Sequence, residues 1–169
     1  MSGKMLPTLR KPRRYLDLAP YSWSRSKVVK SLSDVRHLLA HLTPIDLLAG
    51  TKIDTARSLA WTNAKEYHHF FPRDYLKNKG VSGAKANCLA NIILLTSSSN
   101  KTISNRAPSD YLKDVQKAAG GDIGEWLESN LISEEAYNAA LEDEFETFIE
   151  VRSKDINARV CEMAGWDEN

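Results

Sequence analysis

Two histidines stand side by side in the segment Glu66-Tyr67-His68-His69-Phe70-Phe71-Pro72. Neighbouring residues of a strand point to opposite faces, so the two imidazoles cannot easily share one task. One can hold a cation while the other meets a water molecule or a substrate. Phosphodiester hydrolysis needs that division. A base active near neutral pH must take a proton from water, and a divalent cation must neutralise charge growing on the phosphate and the leaving oxygen. A His-His pair alone reads first as a surface or core coincidence. Two downstream features tip the balance. Asn91 directly precedes the apolar run Ile92-Ile93-Leu94-Leu95, and Asn100-Lys101 lies 31 residues past His69 in a Ser-rich stretch. Those amides offer a second ligand and a means of fixing a loop.

The surrounding elements are legible from pattern. Tyr67–Phe71 is short and aromatic, as a strand would be, and Pro72 closes it. Asp74–Lys79 allows one or two helical turns stopped by Gly80. Ile92–Leu95 reads as a second strand, and Thr96 to Asn100 as the loop after it. Pro108 and Ser109-Asp110 start a helix through Ala119, halted by Gly120-Gly121. Upstream, Ser33 can cap a helix carrying Val35, Leu38, Leu39 and Leu42; Pro44 then opens a short helix through Leu48, and another spans Asp54 to Trp61. Downstream, Ser133 starts a helical run whose stripe of Tyr137, Leu141, Phe145, Phe148, Ile149, Ile156, Val160 and Met163 ends at Gly165 and serves packing. The fold class expected is α+β, mostly helical. A two-strand and helix core at about 64–119 is flanked by helices, with C-terminal helices at 122–165. Residues 1–30 form a basic arm outside the domain of residues 31–169.

Bulk properties exclude several classes. The chain has 169 residues, 42% apolar and 27% charged, the balance of a soluble globular domain. No apolar run approaches the ~20 residues that span a bilayer, and the N-terminus lacks the pattern of a secretory signal. A cytoplasmic location is therefore expected. Cys88 and Cys161 sit in no paired motif and read as ordinary thiols. His37 and His41 are spaced for a shared metal, yet no third ligand suggests itself, so they read as helix-surface residues. No GxxxxGK[ST] loop marks a nucleotide site.

The net charge of +1 hides an asymmetry. Residues 1–30 carry eight Lys/Arg and one acid, residues 31–121 twelve and seven, and residues 122–169 three and fourteen. A basic side matters if it surrounds a site that handles phosphate. Arg73, Lys77, Lys79, Lys85, Lys101 and Arg106 flank the proposed centre. Arg73, Lys77, Lys101 and Arg106 are the expected DNA contacts, with Lys101 foremost, because phosphate neutralisation supplies most non-specific affinity.

The ordered set His68-His69-x-x-Pro72, Asn91 before Ile-Ile-Leu-Leu, and Asn100-Lys101 leading to Pro108-Ser109-Asp110-Tyr111-Leu112 resembles an HNH (His-Me finger) endonuclease. The closer similarity is to the C-terminal nuclease domains of GmrSD-type, modification-dependent restriction enzymes, over roughly residues 60–165 and including the final helix with Arg152. The resemblance implies a ββα-metal core and a single-metal DNA endonuclease in restriction or antiviral defence. It makes His69 the general base, His68 and Asn100 metal ligands, and Asn91 the brace of the loop between the strands. Asn105 competes with Asn100 as ligand. The products would carry 5′-phosphate and 3′-hydroxyl ends. Many relatives place a carboxylate directly before the base, where this chain has His68. That departure leaves the metal open: Mg²⁺ is implied first, then Mn²⁺, with Zn²⁺ or Ni²⁺ compatible with imidazole. Relatives usually join the domain to an upstream nucleotide-dependent sensor domain, in the same chain or as a partner. The rival readings are a DNA-binding module without catalysis and a helical protein-interaction domain.

Overall fold

The structure is a computed structural model, and it describes Leu38, residues 41–54 and residues 67–164. The basic arm, His37 and the helix expected over Asp54 to Trp61 fall largely or wholly outside those residues. Among the described residues the order is β1 (Tyr67–His69), α1 (Arg73–Asn78), α2 (Gly83–Ala86), a 3₁₀ turn (Leu89–Asn91), β2 (Ile92–Leu94), α3 (Ser97–Ile103), α4 (Pro108–Ala118), α5 (Gly124–Ser129), α6 (Glu134–Leu141) and α7 (Phe145–Ala164). The α+β class and the helical majority agree with the sequence. No helix among the described residues is long and apolar enough to cross a membrane.

The two strands are antiparallel, with Tyr67 opposite Leu94, His68 opposite Ile93 and His69 opposite Ile92. Three residues per strand give little ladder, so the hairpin depends on what packs against it. Phe70 and Phe71 supply that packing. The Phe70 ring stacks on Phe148 of α7 at 4.5 Å and meets the Tyr111 ring edge-on at 5.9 Å. Phe71 meets Phe145 at 5.3 Å and Phe148 at 5.2 Å. All five rings are buried. Such aromatic pairs add about 0.5–1.5 kcal/mol each beyond their area.

Several boundaries differ from the expected ones. The stretch Thr96 to Asn100 is not a loop. Thr96 caps α3 by accepting the Ser99 amide at 3.2 Å, and the helix runs on to Ile103. The short helix expected from Pro44 to Leu48 is a turn closed by a bridge between Ile45 and Lys52. The Asp46 carboxylate accepts the Leu48 and Ala49 amides at 2.9 and 2.8 Å, offering the backbone an alternative to a helix. Gly50 ends the turn at φ 63°, and a Cβ there would meet the Trp126 ring at 2.6 Å. The C-terminal run is two helices, because Asp143 turns the chain at φ 57°. Its carboxylate accepts the Ser109 amide and hydroxyl at 2.9 and 2.7 Å, which stabilises the N-terminus of α4.

Candidate functional site

His69 ends β1, and the turn Phe70-Phe71-Pro72 leads from it into α1. Asn91 holds that turn. Its Oδ1 accepts the Phe71 amide at 2.8 Å, and its Nδ2 donates to the Phe71 carbonyl at 3.0 Å and the Ala86 carbonyl at 2.8 Å. The Asn91 carbonyl also accepts the Phe70 amide at 2.8 Å. Asn91 is fully buried, so those bonds answer polar groups that water cannot reach. These bonds tie the turn after β1 and the end of α2 to one side chain. Tyr111 is fully buried and donates its hydroxyl to the Phe70 carbonyl at 2.9 Å. Tyr67 packs toward Ile53, Leu89 and Leu94.

Arg152 secures the same region from behind. Its guanidinium is fully buried and donates to the carbonyls of Ala90 at 2.7 Å, Asn130 at 3.0 Å and Leu131 at 3.3 Å. Burial brings its pKa down to about 10. A buried cation answered by carbonyls fixes the turn that carries Asn91 to helix α7. The neighbouring Cys88 thiol is pushed up to about 11 by burial, and Cys88 and Cys161 are both free. Cys88 thus lacks the lowered pKa of a reactive thiolate.

His69 is half-buried, and burial is the main cause that lowers its pKa from the ordinary value; its bond to Asn87 opposes this and the charge of Arg73 adds to it. A neutral imidazole near pH 7 is the form a general base needs. The partner is new: His69 Nε2 lies 2.9 Å from Asn87 Oδ1. His68 shares a face with its cross-strand partner Ile93, which belongs to the main core. Asn100 is half-buried and sits one turn before Ile103, also of that core.

Asp46 positions α3. It is fully buried, and beyond its own turn it accepts the Thr96 amide at 2.7 Å and the Ser99 hydroxyl at 2.6 Å. Burial would raise its pKa, but these donors together hold it below the ordinary value. No local pattern marks Asp46 in the sequence, because 50 residues separate it from Thr96.

Basic residues divide into two groups. Arg73, Lys77 and Lys101 are exposed, the first two one turn apart on α1 and the third beside Asn100. Lys79 lies over the Tyr75 ring at 5.7 Å. Lys85 pairs with Glu146. Arg106 is paired on the surface: Asp110 and Asp114, one turn apart on α4, hold its guanidinium at 2.7 Å each. Asn105 is exposed and follows the end of α3, whereas Asn100 lies within it. A separate groove between α5, α6 and α7 is lined by Glu125, Glu128, Glu134, Asp155 and Glu162 against one cation, Arg159. Its charge repels phosphate, and none of the motif residues lines it.

The donor set bears on which metal could bind. Among the described residues no three His, Cys, Asp or Glu are grouped to hold an ion. The ligands expected from the sequence, His68 and Asn100, would offer one imidazole nitrogen and one amide oxygen. Such a pair fits a cation that keeps most of its coordination for water and phosphate oxygens.

No family model and no solved structure matches the chain. It is similar to an uncharacterized protein of Methanocaldococcus jannaschii, with 30% identity over 119 residues that cover 58% of this chain and 20% of that protein. The chain thus spans about a fifth of the length of the relative it matches.

Proposed function

We propose that the chain is a metal-dependent DNA endonuclease with a ββα-metal core made of β1, β2 and α3. The observation that supports this best is positional. His68 and His69 lie on a strand paired with Ile92–Leu94, Asn91 clamps the turn after them, and Asn100 is the fourth residue of the helix that follows. That is the order in which the resemblance to HNH endonucleases places a base, a loop brace and a ligand pair.

His69 takes a proton from water, and the water oxygen bonds to phosphorus as the bond from phosphorus to the 3′ oxygen breaks. The departing oxygen takes its proton from solvent, leaving a 3′-hydroxyl and a 5′-phosphate. Asn91 keeps His69 at a fixed angle by setting the turn behind it. His68 and Asn100 would hold the cation, Mg²⁺ first and Mn²⁺ next. When bound, it supplies charge neutralisation at the phosphate and the leaving oxygen. Arg73, Lys77, Lys101 and Arg106 bind the DNA backbone and fix its register, Arg106 exchanging its exposed carboxylate partners for phosphate. The length of the relative accords with a nuclease unit inside, or working beside, a larger protein such as a nucleotide-dependent sensor, and the resemblance extends this to restriction of foreign or modified DNA.

The test is conversion of supercoiled plasmid with Mg²⁺, Mn²⁺ or EDTA, run beside folded His69→Ala. Nicked or linear product that needs metal and drops by about 10²–10⁴-fold in the variant supports the reading. Cleavage by His69→Ala at the parental rate removes the base assignment. Salt-sensitive DNA binding without any scission makes the chain a binding module instead.

A further inference from the structure

We infer that Asn87 is the positioning residue of His69: its carboxamide oxygen holds the imidazole as the Nε2–H tautomer and leaves Nδ1 as the lone pair that receives the proton from water. The inference rests on the nuclease reading for its catalytic consequence. Its geometric half stands on contacts already described.

A neutral imidazole has one donor and one acceptor nitrogen, and the bond made by one fixes the role of the other. At 2.9 Å from Asn87 Oδ1, Nε2 must donate, because the carboxamide oxygen cannot. Nδ1 is then the basic nitrogen. The pairing is also prearranged. Asn87 ends α2, its amide donating to the Gly83 carbonyl at 3.1 Å, and Ser82 caps the other end of that helix through the Lys85 amide. Asn91 binds the carbonyl of Ala86, next to Asn87, while also binding Phe71, two residues past His69. One buried amide therefore sets both segments from which His69 and Asn87 reach each other. Asn87 itself is exposed, so its side chain contributes little to the core and is open to substitution.

Asn87→Ala removes the acceptor, and Asn87→Asp keeps an oxygen in the same place. The full-length chain labelled with ¹⁵N gives the tautomer from long-range proton–nitrogen correlations, with His69 assigned against His69→Ala. The parent and Asn87→Asp should show a protonated Nε2, and Asn87→Ala an averaged pair of nitrogens at an unchanged melting temperature. Plasmid cleavage by Asn87→Ala should fall on the order of 10-fold in kcat with KM nearly constant, as for other residues that orient a functional imidazole, and Asn87→Asp should recover most of the loss. A parent protonated at Nδ1 overturns the inference. So does an Asn87→Ala chain with the parental tautomer and rate. If the parent cleaves and only the Asn87 effects are missing, the inference falls alone; if no form cleaves with any metal, the nuclease reading falls and takes it along.

Discussion

The hairpin that carries the histidines and the helix pair α6–α7 are fixed by different means. The helices carry an apolar stripe with Ala136, Ala140, Phe148 and Ile149 fully buried, and non-directional packing holds them. The hairpin has two three-residue strands, and polar clamps add direction to its aromatic packing: Asn91 on Phe71 and Ala86, Tyr111 on Phe70, and Arg152 on Ala90. Packing tolerates small shifts; a hydrogen bond defines an angle. A site that must aim an imidazole gains from the second means, and the helices supply the wall against which it is aimed.

The largest expected effect strikes where the two regions meet. Phe148→Ala removes the ring that Phe70 and Phe71 both touch, and it should cost about 3–5 kcal/mol by chemical denaturation, the range for a large ring deleted from a core. Hairpin and helices should unfold together. Loss of cleavage at low temperature by a variant that is still folded would show that the wall also aims the site.

Asn91→Ala separates the regions further. It strands the Phe71 amide and two carbonyls in a buried place, for about 1–3 kcal/mol of stability. Activity should fall far more than stability accounts for, since α6 and α7 keep their packing. A folded Asn91→Ala chain with parental cleavage would mean that the turn holds its shape without the clamp, and the contrast between the regions would lose its functional meaning.

How much of this was legible follows the same division. The strands, α1 and α4 announced themselves through aromatic or apolar runs ended by Pro72, Gly80 and Gly120-Gly121. Asn91 was recognisable because one residue type stood before one apolar run. Helix α3 was not, because Ser97-Ser98-Ser99 has poor helix propensity. Its start is stabilised by Thr96 and by Asp46 from 50 residues away, a contact no local window contains. The break between α6 and α7 hid for a similar reason: no Gly or Pro marks it, and Asp143 takes the left-handed turn while binding Ser109 of α4. Asn87 escaped notice because its meaning lies in a distance to His69.

The smallest effect probes a fourth clamp, on the residues that follow β2. Asp46 is held as a carboxylate below its ordinary pKa by the amides and hydroxyl around it, despite the burial that opposes this. A group depressed in the folded state stabilises above its unfolded pKa, about 3.8, and loses that contribution as pH falls through the folded value. Asp46→Asn should therefore lower the melting temperature at pH 7, by roughly 1 kcal/mol in stability, and the gap to the parent should close as acid protonates Asp46 in the parent. Because Asp46 fixes Thr96 and Ser99, and Asn100 follows in the same helix, the variant should also need more Mg²⁺ for half-maximal cleavage. A stability loss with no change in metal requirement would mean that α3 holds Asn100 in place without its cap, and the clamp would belong to the fold alone.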